Sequence, residues 1–174
     1  DIIFNLGNMD LSAFYDNGLG DMSSYQDKVV ESFKKMSDAG IKFVSASYCF
    51  ALEEIPRREM NYKKLDFIKP YIMIKDKVDD NEQNILVTGV SVNKSNLFEL
   101  GVEEEKKALK YAKEYYQKDG VKPDKIILML HDMPKKANEL LEYAKKELEM
   151  ENVELVIGGH PHSIEDYTAD NTRV

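Results

Sequence analysis

The sequence predicts an α/β domain, a layered sandwich of mixed β-sheet flanked by helices. Short apolar runs alternate along the chain with amphipathic segments of 3.6-residue period. One run, "IILML" (Ile126–Leu130), has no polar residue, the pattern of a central strand. Two further runs, "KPYIMIKDKV" and "NILVTGVSV", are separated only by the turn residues "DDNEQ". They read as a β-hairpin, which makes the sheet mixed rather than purely parallel.

"DIIFNL" (Asp1–Leu6) opens the chain as a short apolar strand, stopped by Gly7-Asn8. In "SSYQDKVVESFKKMSDAG", Ser23 or Ser24 can cap a helix whose Val29, Val30, Phe33 and Met36 share one face, and Gly40 ends it. "IKFVSAS" (Ile41–Ser47) reads as the next strand, and "ALEEIPRREMNYKK" as a loop crossing to the hairpin. "GVEEEKKALKYAKEYYQKDG" is a helix with acids in its first turn, Lys118 in its last and Gly120 beyond it, as the helix dipole and the C-terminal cap prefer. "DKIILML" is the next strand. "PKKANELLEYAKKELEM" is a helix entered at Pro134, and "VELVIGG" is the last strand, followed by a polar tail.

The 174 residues form one predicted domain, 1–174, long enough to bury about two-thirds of the surface of its unfolded chain. A hydrophobic fraction of 43% with 32% charged residues argues against disorder. Net charge is −8, so no broad face attracts nucleic acid. Lysines in "EEEKKALKYAKEYYQK" are interspersed with acids, which reads as a solvated face laced with ion pairs. No apolar run approaches the roughly 18 residues of a membrane span, and no membrane insertion is expected. Cys49, the single cysteine, excludes an internal disulfide and reads as a small core residue between Tyr48 and Phe50. Tyr111, Tyr115 and Tyr116 read as packing residues and helix rim.

The chemistry collects at strand ends. "DIIFNL" runs into Asn8, "KIILML" into His131, and "VELVIGG" into His160 and His162. Ligands of open α/β sheets bind beyond the carboxyl ends of the strands, and all three histidines of the chain lie in such positions. Neutral imidazoles suit zinc, iron, manganese or nickel, and an amide oxygen suits the harder of these. Histidines at i and i+2 of an extended segment can reach two neighbouring ions. Gly158 and Gly159 permit a sharp turn and close approach to a bound oxyanion. Asp10, Asp132 and Asp166 lie near these motifs. Asp132 could orient His131, although a solvated loop carboxylate is the simpler reading of each.

"LGNMD" (Leu6–Asp10), "ILMLHD" (Ile127–Asp132) and "VIGGHPH" (Val156–His162) resemble, in order, three motifs of the calcineurin-like metallophosphatases. The likeness is greatest to the 5′-nucleotidase branch, whose strands between the motifs "FVSASY", "IKPYIMIK" and "ILVTGVSV" of this chain also resemble, and it covers nearly the whole chain. It implies a metallophosphoesterase domain that hydrolyses phosphate monoesters, such as a nucleotide, by water activated between two divalent ions (Zn, Mn, Fe or similar). By this resemblance Asn8, His131 and His160 would ligate the second metal and His162 the first. An extracellular or cell-surface location is implied likewise.

The chain departs from the family pattern in three places. The opening Asp-x-His and Gly-Asp motifs, which supply most ligands of the first metal and the bridging carboxylate, are absent, so the domain is expected to be incomplete at its N-terminus. The family reads Gly-Asn-His-Asp/Glu where this chain reads Gly-Asn-Met-Asp, and the Asp that supports that His is Ser12 here. A thioether at Met9 cannot act as a general acid. This sequence also ends soon after His162, so no C-terminal nucleoside-binding domain is expected within it. The alternative reading is therefore a degenerate, non-catalytic domain of the same fold, acting as a binding or surface module.

Overall fold

The computed structural model describes residues 2–5, 23–54, 65–78, 81–91, 102–131, 134–159, 168–169 and 171–174. Among them the elements run β1 (Ile3–Asn5), α1 (Ser23–Asp38), β2 (Lys42–Val44), α2 (Ala46–Glu54), β3 (Ile68–Lys69), β4 (Tyr71–Val78), β5 (Asn81–Ser91), α3 (Val102–Lys118), β6 (Lys125–His131), α4 (Pro134–Lys146), β7 (Val153–Gly159), β8 (Thr168–Ala169) and β9 (Thr172–Arg173). The class is α/β with mixed strand pairing, as the sequence predicts. The strands form a three-stranded sheet, β1-β2-β3, and a six-stranded sheet, β4-β5-β6-β7-β9-β8.

The hairpin is present: β4 and β5 pair antiparallel from Tyr71↔Thr88 to Val78↔Asn81. β5, β6 and β7 are mutually parallel. β6 therefore lies inside the sheet with a parallel neighbour on each side, where its apolar run places it. Its burial alternates, with Ile126, Leu128 and Leu130 fully buried and Lys125, Ile127, Met129 and His131 half-buried.

The buried half of that alternation enters the main core. Leu86 and Val90 of β5, Leu128 of β6 and Val156 of β7 join Ala108, Leu109 and Ala112 of α3 and Leu140, Leu141 and Ala144 of α4 in one cluster. Helices α3 and α4 thus cover one face of the large sheet, and Lys106 of α3 bridges to Glu139 of α4 at 3.1 Å. The predicted ion-pair lacing of α3 is present in Glu104–Lys107 and Lys110–Glu114. Gly120 ends α3 at φ 73°, its N–H bonded to Gln117 O while Val121 N–H reaches Tyr116 O. This is the paired closure that a left-handed C′ residue makes possible.

A second cluster joins Phe43, Tyr48, Cys49, Leu65 and Ile68 with Val29, Val30, Phe33 and Met36, the predicted apolar face of α1. Phe33 meets Phe43 edge-on with ring centroids 5.2 Å apart. The small sheet lies across the other side of the large one, β1 against β6 and β2 against β4 and β5. No helix among the described residues is long and apolar enough to cross a membrane.

Five expectations are corrected. "IKFVSAS" is a strand only over Lys42–Val44; Ser45 then caps α2, its Oγ accepting from Tyr48 N–H at 3.2 Å. Ala51–Glu54, expected in a loop, belongs to that helix. The turn expected over "DDNEQ" is shorter, because β5 already begins at Asn81. α4 ends at Lys146 rather than running to Met150, and Glu149 beyond it takes φ 51°. β7 is not the last strand: β8 and β9 form a small antiparallel pair that extends the sheet, with Leu155↔Arg173 joining β7 to β9. Thr172, fully buried there, donates from Oγ1 to Val153 O at 2.9 Å.

Cys49 is a core residue as expected, 9% exposed. Burial, first of all, and the nearby Glu53 carboxylate push its thiol up from 9.0 to about 12. A raised folded-state value means that this group's contribution to stability is lost as pH climbs from the ordinary thiol range toward that value. Native protein at mildly alkaline pH is expected to resist iodoacetamide and to react on unfolding. Rapid labelling of the native state would contradict this packing.

Candidate functional site

Parallel pairing aligns three strand ends. Ser91 of β5 is the register partner of His131 of β6, and His131 that of Gly159 of β7. Adjacent strands lie about 4.8 Å apart, so these three residues form one row at the carboxyl rim of the sheet. His131 shares the half-buried face of β6 with Ile127 and Met129, away from the helices. A Cβ built on Gly159 would lie 3.6 Å from His131 Nδ1. Gly159 itself thus places no side chain against the flank of the imidazole that faces β7.

Neighbouring elements brace this rim. Ser91, itself buried, donates its backbone N–H to Ser47 Oγ at 3.0 Å, tying the first turn of α2 to the end of β5. One step below the rim, Asn5 Nδ2 at the end of β1 donates to Met129 O at 3.2 Å. The small sheet thereby attaches to the large one two residues before His131.

Of the sequence-predicted metal ligands, His131 lies among the described residues, half-buried at the strand end. Asn8, His160 and His162 lie outside them, as do Met9, Ser12, Asp10, Asp132 and Asp166. His160 is, however, covalently next to Gly159, and Gly159 flanks His131. Gly158 and Gly159 form the end of β7, within the strand that "VELVIGG" predicts. Among the described residues no group of three or more His, Cys, Asp or Glu stands close enough to hold a metal ion. The fit to a metal therefore rests, within those residues, on His131 alone: a soft-to-borderline nitrogen donor at a strand end.

Ser47, Ser91, Asn5 and Gly89 support the rim and do not stand out from spacing alone. Two carry a signal in hindsight: an amide inside the apolar "DIIFNL", and a glycine inside the apolar "ILVTGVSV", which marks a bulge or a close approach. An open cleft of about 400 Å³ lined by Tyr116, Gly120, Val121, Pro123 and Asn152 lies at the amino ends of β6 and β7, the opposite end from His131. The three tyrosines of α3 divide as expected. Tyr116 is 5% exposed in the core and Tyr115 37% exposed at the rim of the helix, while Tyr111 packs against Tyr115 at 5.7 Å.

No protein-family model, curated protein or solved structure matches the chain.

Proposed function

We propose that the chain is a metal-dependent phosphoester hydrolase domain of 5′-nucleotidase type, with a metallophosphatase-like sandwich as its fold. The observation that supports it is the pairing of His131 with Gly159 at the carboxyl rim. It makes "ILMLHD" and the start of "GGHPH" neighbours in space although Leu130 and His160 are far apart in sequence. Two motifs that resemble the same family's ligand motifs thus issue from adjacent parallel strands, on the side of a sheet where ligands bind.

In this reading His131, held by the β6 ladder, would ligate the second metal together with Asn8 and His160, beside the bridging carboxylate that the family's opening motifs supply. His162 serves the first metal. A pair of divalent ions (Zn, Mn, Fe or similar) bound there supplies polarisation of the phosphoryl group and an activated water for in-line attack. Met9 donates no proton to the leaving group, so departure is slow unless the substrate's own leaving group is good. The substrate is a small phosphate ester such as a nucleotide.

Metal content tests the reading. The full-length protein, purified at neutral pH in manganese or zinc, is expected to hold about two ions per chain; fewer than about one overturns it. Met9 and Ser12 favour a second reading, a domain that keeps the fold and has lost the chemistry. Met9→His separates the two. If the site is catalytic, the substitution is expected to raise hydrolysis of a nucleoside monophosphate by about a hundred- to ten-thousand-fold. An unchanged rate in metal-loaded protein supports the non-catalytic domain.

A further inference from the structure

We infer that Asn5 is a positioning residue for the rim: its carboxamide, seated against Gly89, ties the strand leading to Asn8 to the strand ending in His131. This deepens, and rests on, the proposed metal site.

The geometry is that of a fitted joint. Asn5 Nδ2 donates to Met129 O at 3.2 Å across 124 residues of sequence. Among the described residues, its buried Oδ1 has no hydrogen-bond donor. A Cβ built on Gly89 would lie 2.2 Å from that oxygen and 2.6 Å from Cγ, distances no real Cβ contact shows. The hydrogen that glycine carries in place of a Cβ therefore faces Oδ1, and the carboxamide occupies the space a side chain would take. Gly89 sits in the buried run Leu86–Ser91 at the middle of a sheet, where glycine weakens a strand and marks the close approach of another group.

A buried amide with one of its two ends unpaired is a poor choice for stability alone, since the orphaned oxygen is desolvated without return. What the amide supplies is placement. Gly89 and Met129 are register partners, as are Ser91 and His131 two residues on. Two strand residues span roughly 7 Å, so the joint lies one pleat repeat below His131. Asn8 follows Asn5 by three residues, a tether of at most about 11 Å. The resemblance assigns Asn8 and His131 to the same metal. The Asn5 hydrogen bond thus links the two strands that deliver them, and a shift of β1 along β6 would move one donor relative to the other.

The test uses Asn5→Ala, Gly89→Ala and the double variant in the full-length protein, with urea unfolding and titration by Mn²⁺ and Co²⁺. Gly89→Ala is expected to lose much of the urea midpoint or fail to fold. The double variant is expected to recover it, because the atoms that block the new Cβ are gone. Folded Asn5→Ala is expected to bind Mn²⁺ about ten- to a hundredfold more weakly, as loss of groups that orient ligands does, and to show shifted Co²⁺ visible bands. A double variant no more stable than Gly89→Ala overturns the joint. Wild-type Mn²⁺ affinity and an unshifted Co²⁺ spectrum in Asn5→Ala overturn the positioning role and leave the metal-site reading standing. A wild-type protein that binds neither ion overturns that reading and the positioning role together.

Discussion

If the proposed function holds, His131→Ala is expected to lower divalent-metal affinity of the full-length protein by more than about a hundredfold and to abolish hydrolysis of phosphate monoesters. Substitution of groups that merely orient ligands already costs about ten- to a hundredfold in affinity, and the proposed function gives His131 a direct bond to the metal. The side chain is half-buried at the end of β6, on the face away from the helix core. Its loss therefore opens no cavity among Leu128, Leu140 and Val156, and the fold should persist. Far-ultraviolet circular dichroism and the urea midpoint check that persistence, while isothermal titration with Mn²⁺ and hydrolysis of a nucleoside monophosphate read the effect. A His131→Ala protein with native metal affinity would remove β6 from the site. Loss of affinity together with loss of fold would instead assign His131 a structural role.

Leu128→Ala is expected to destabilise the protein by about 2–5 kcal/mol, seen as a lower urea midpoint at an unchanged slope. Leu128 is fully buried in a strand with a parallel neighbour on each side, in the same cluster as Leu109 of α3 and Leu140 of α4. Close-packed on every side, it leaves a cavity that its neighbours cannot readily collapse. Against a typical total of about 5–15 kcal/mol, that is a large fraction. Ile127→Ala, one residue away on the half-buried face, is the control and should cost clearly less. Equal costs would mean that the alternation along β6 does not set which side chains hold the two layers together.

The alternation along β6 was not legible, because "IILML" is apolar at every position, and legibility failed again where burial is complete. "ASYCFALEE" is buried on nearly every side from Ala46 to Ala51, so it carries no amphipathic stripe. A short segment apolar all round gives the same periodicity signal whether helix or strand, and α2 was therefore read as strand and loop. Ser45 was the available cue, a capping residue ahead of the turn it closes. β8 and β9 are two residues each and exist through pairing with each other and with β7, which no local pattern announces. α1, α3 and α4, in contrast, have one wet and one dry face, and their stripes marked them.

The sequence by itself determined the class of the domain, the helices with one apolar face, the hairpin of β4 and β5, and the placing of His131 at a strand end. These follow from side-chain period and from turn and capping residues, which act over a few positions of chain. The tertiary structure decided which strand ends share a rim. His131 lies beside Gly159, and Asn5 reaches past Gly89 to Met129, because sheet pairing and sheet packing bring together residues that no spacing in the chain connects.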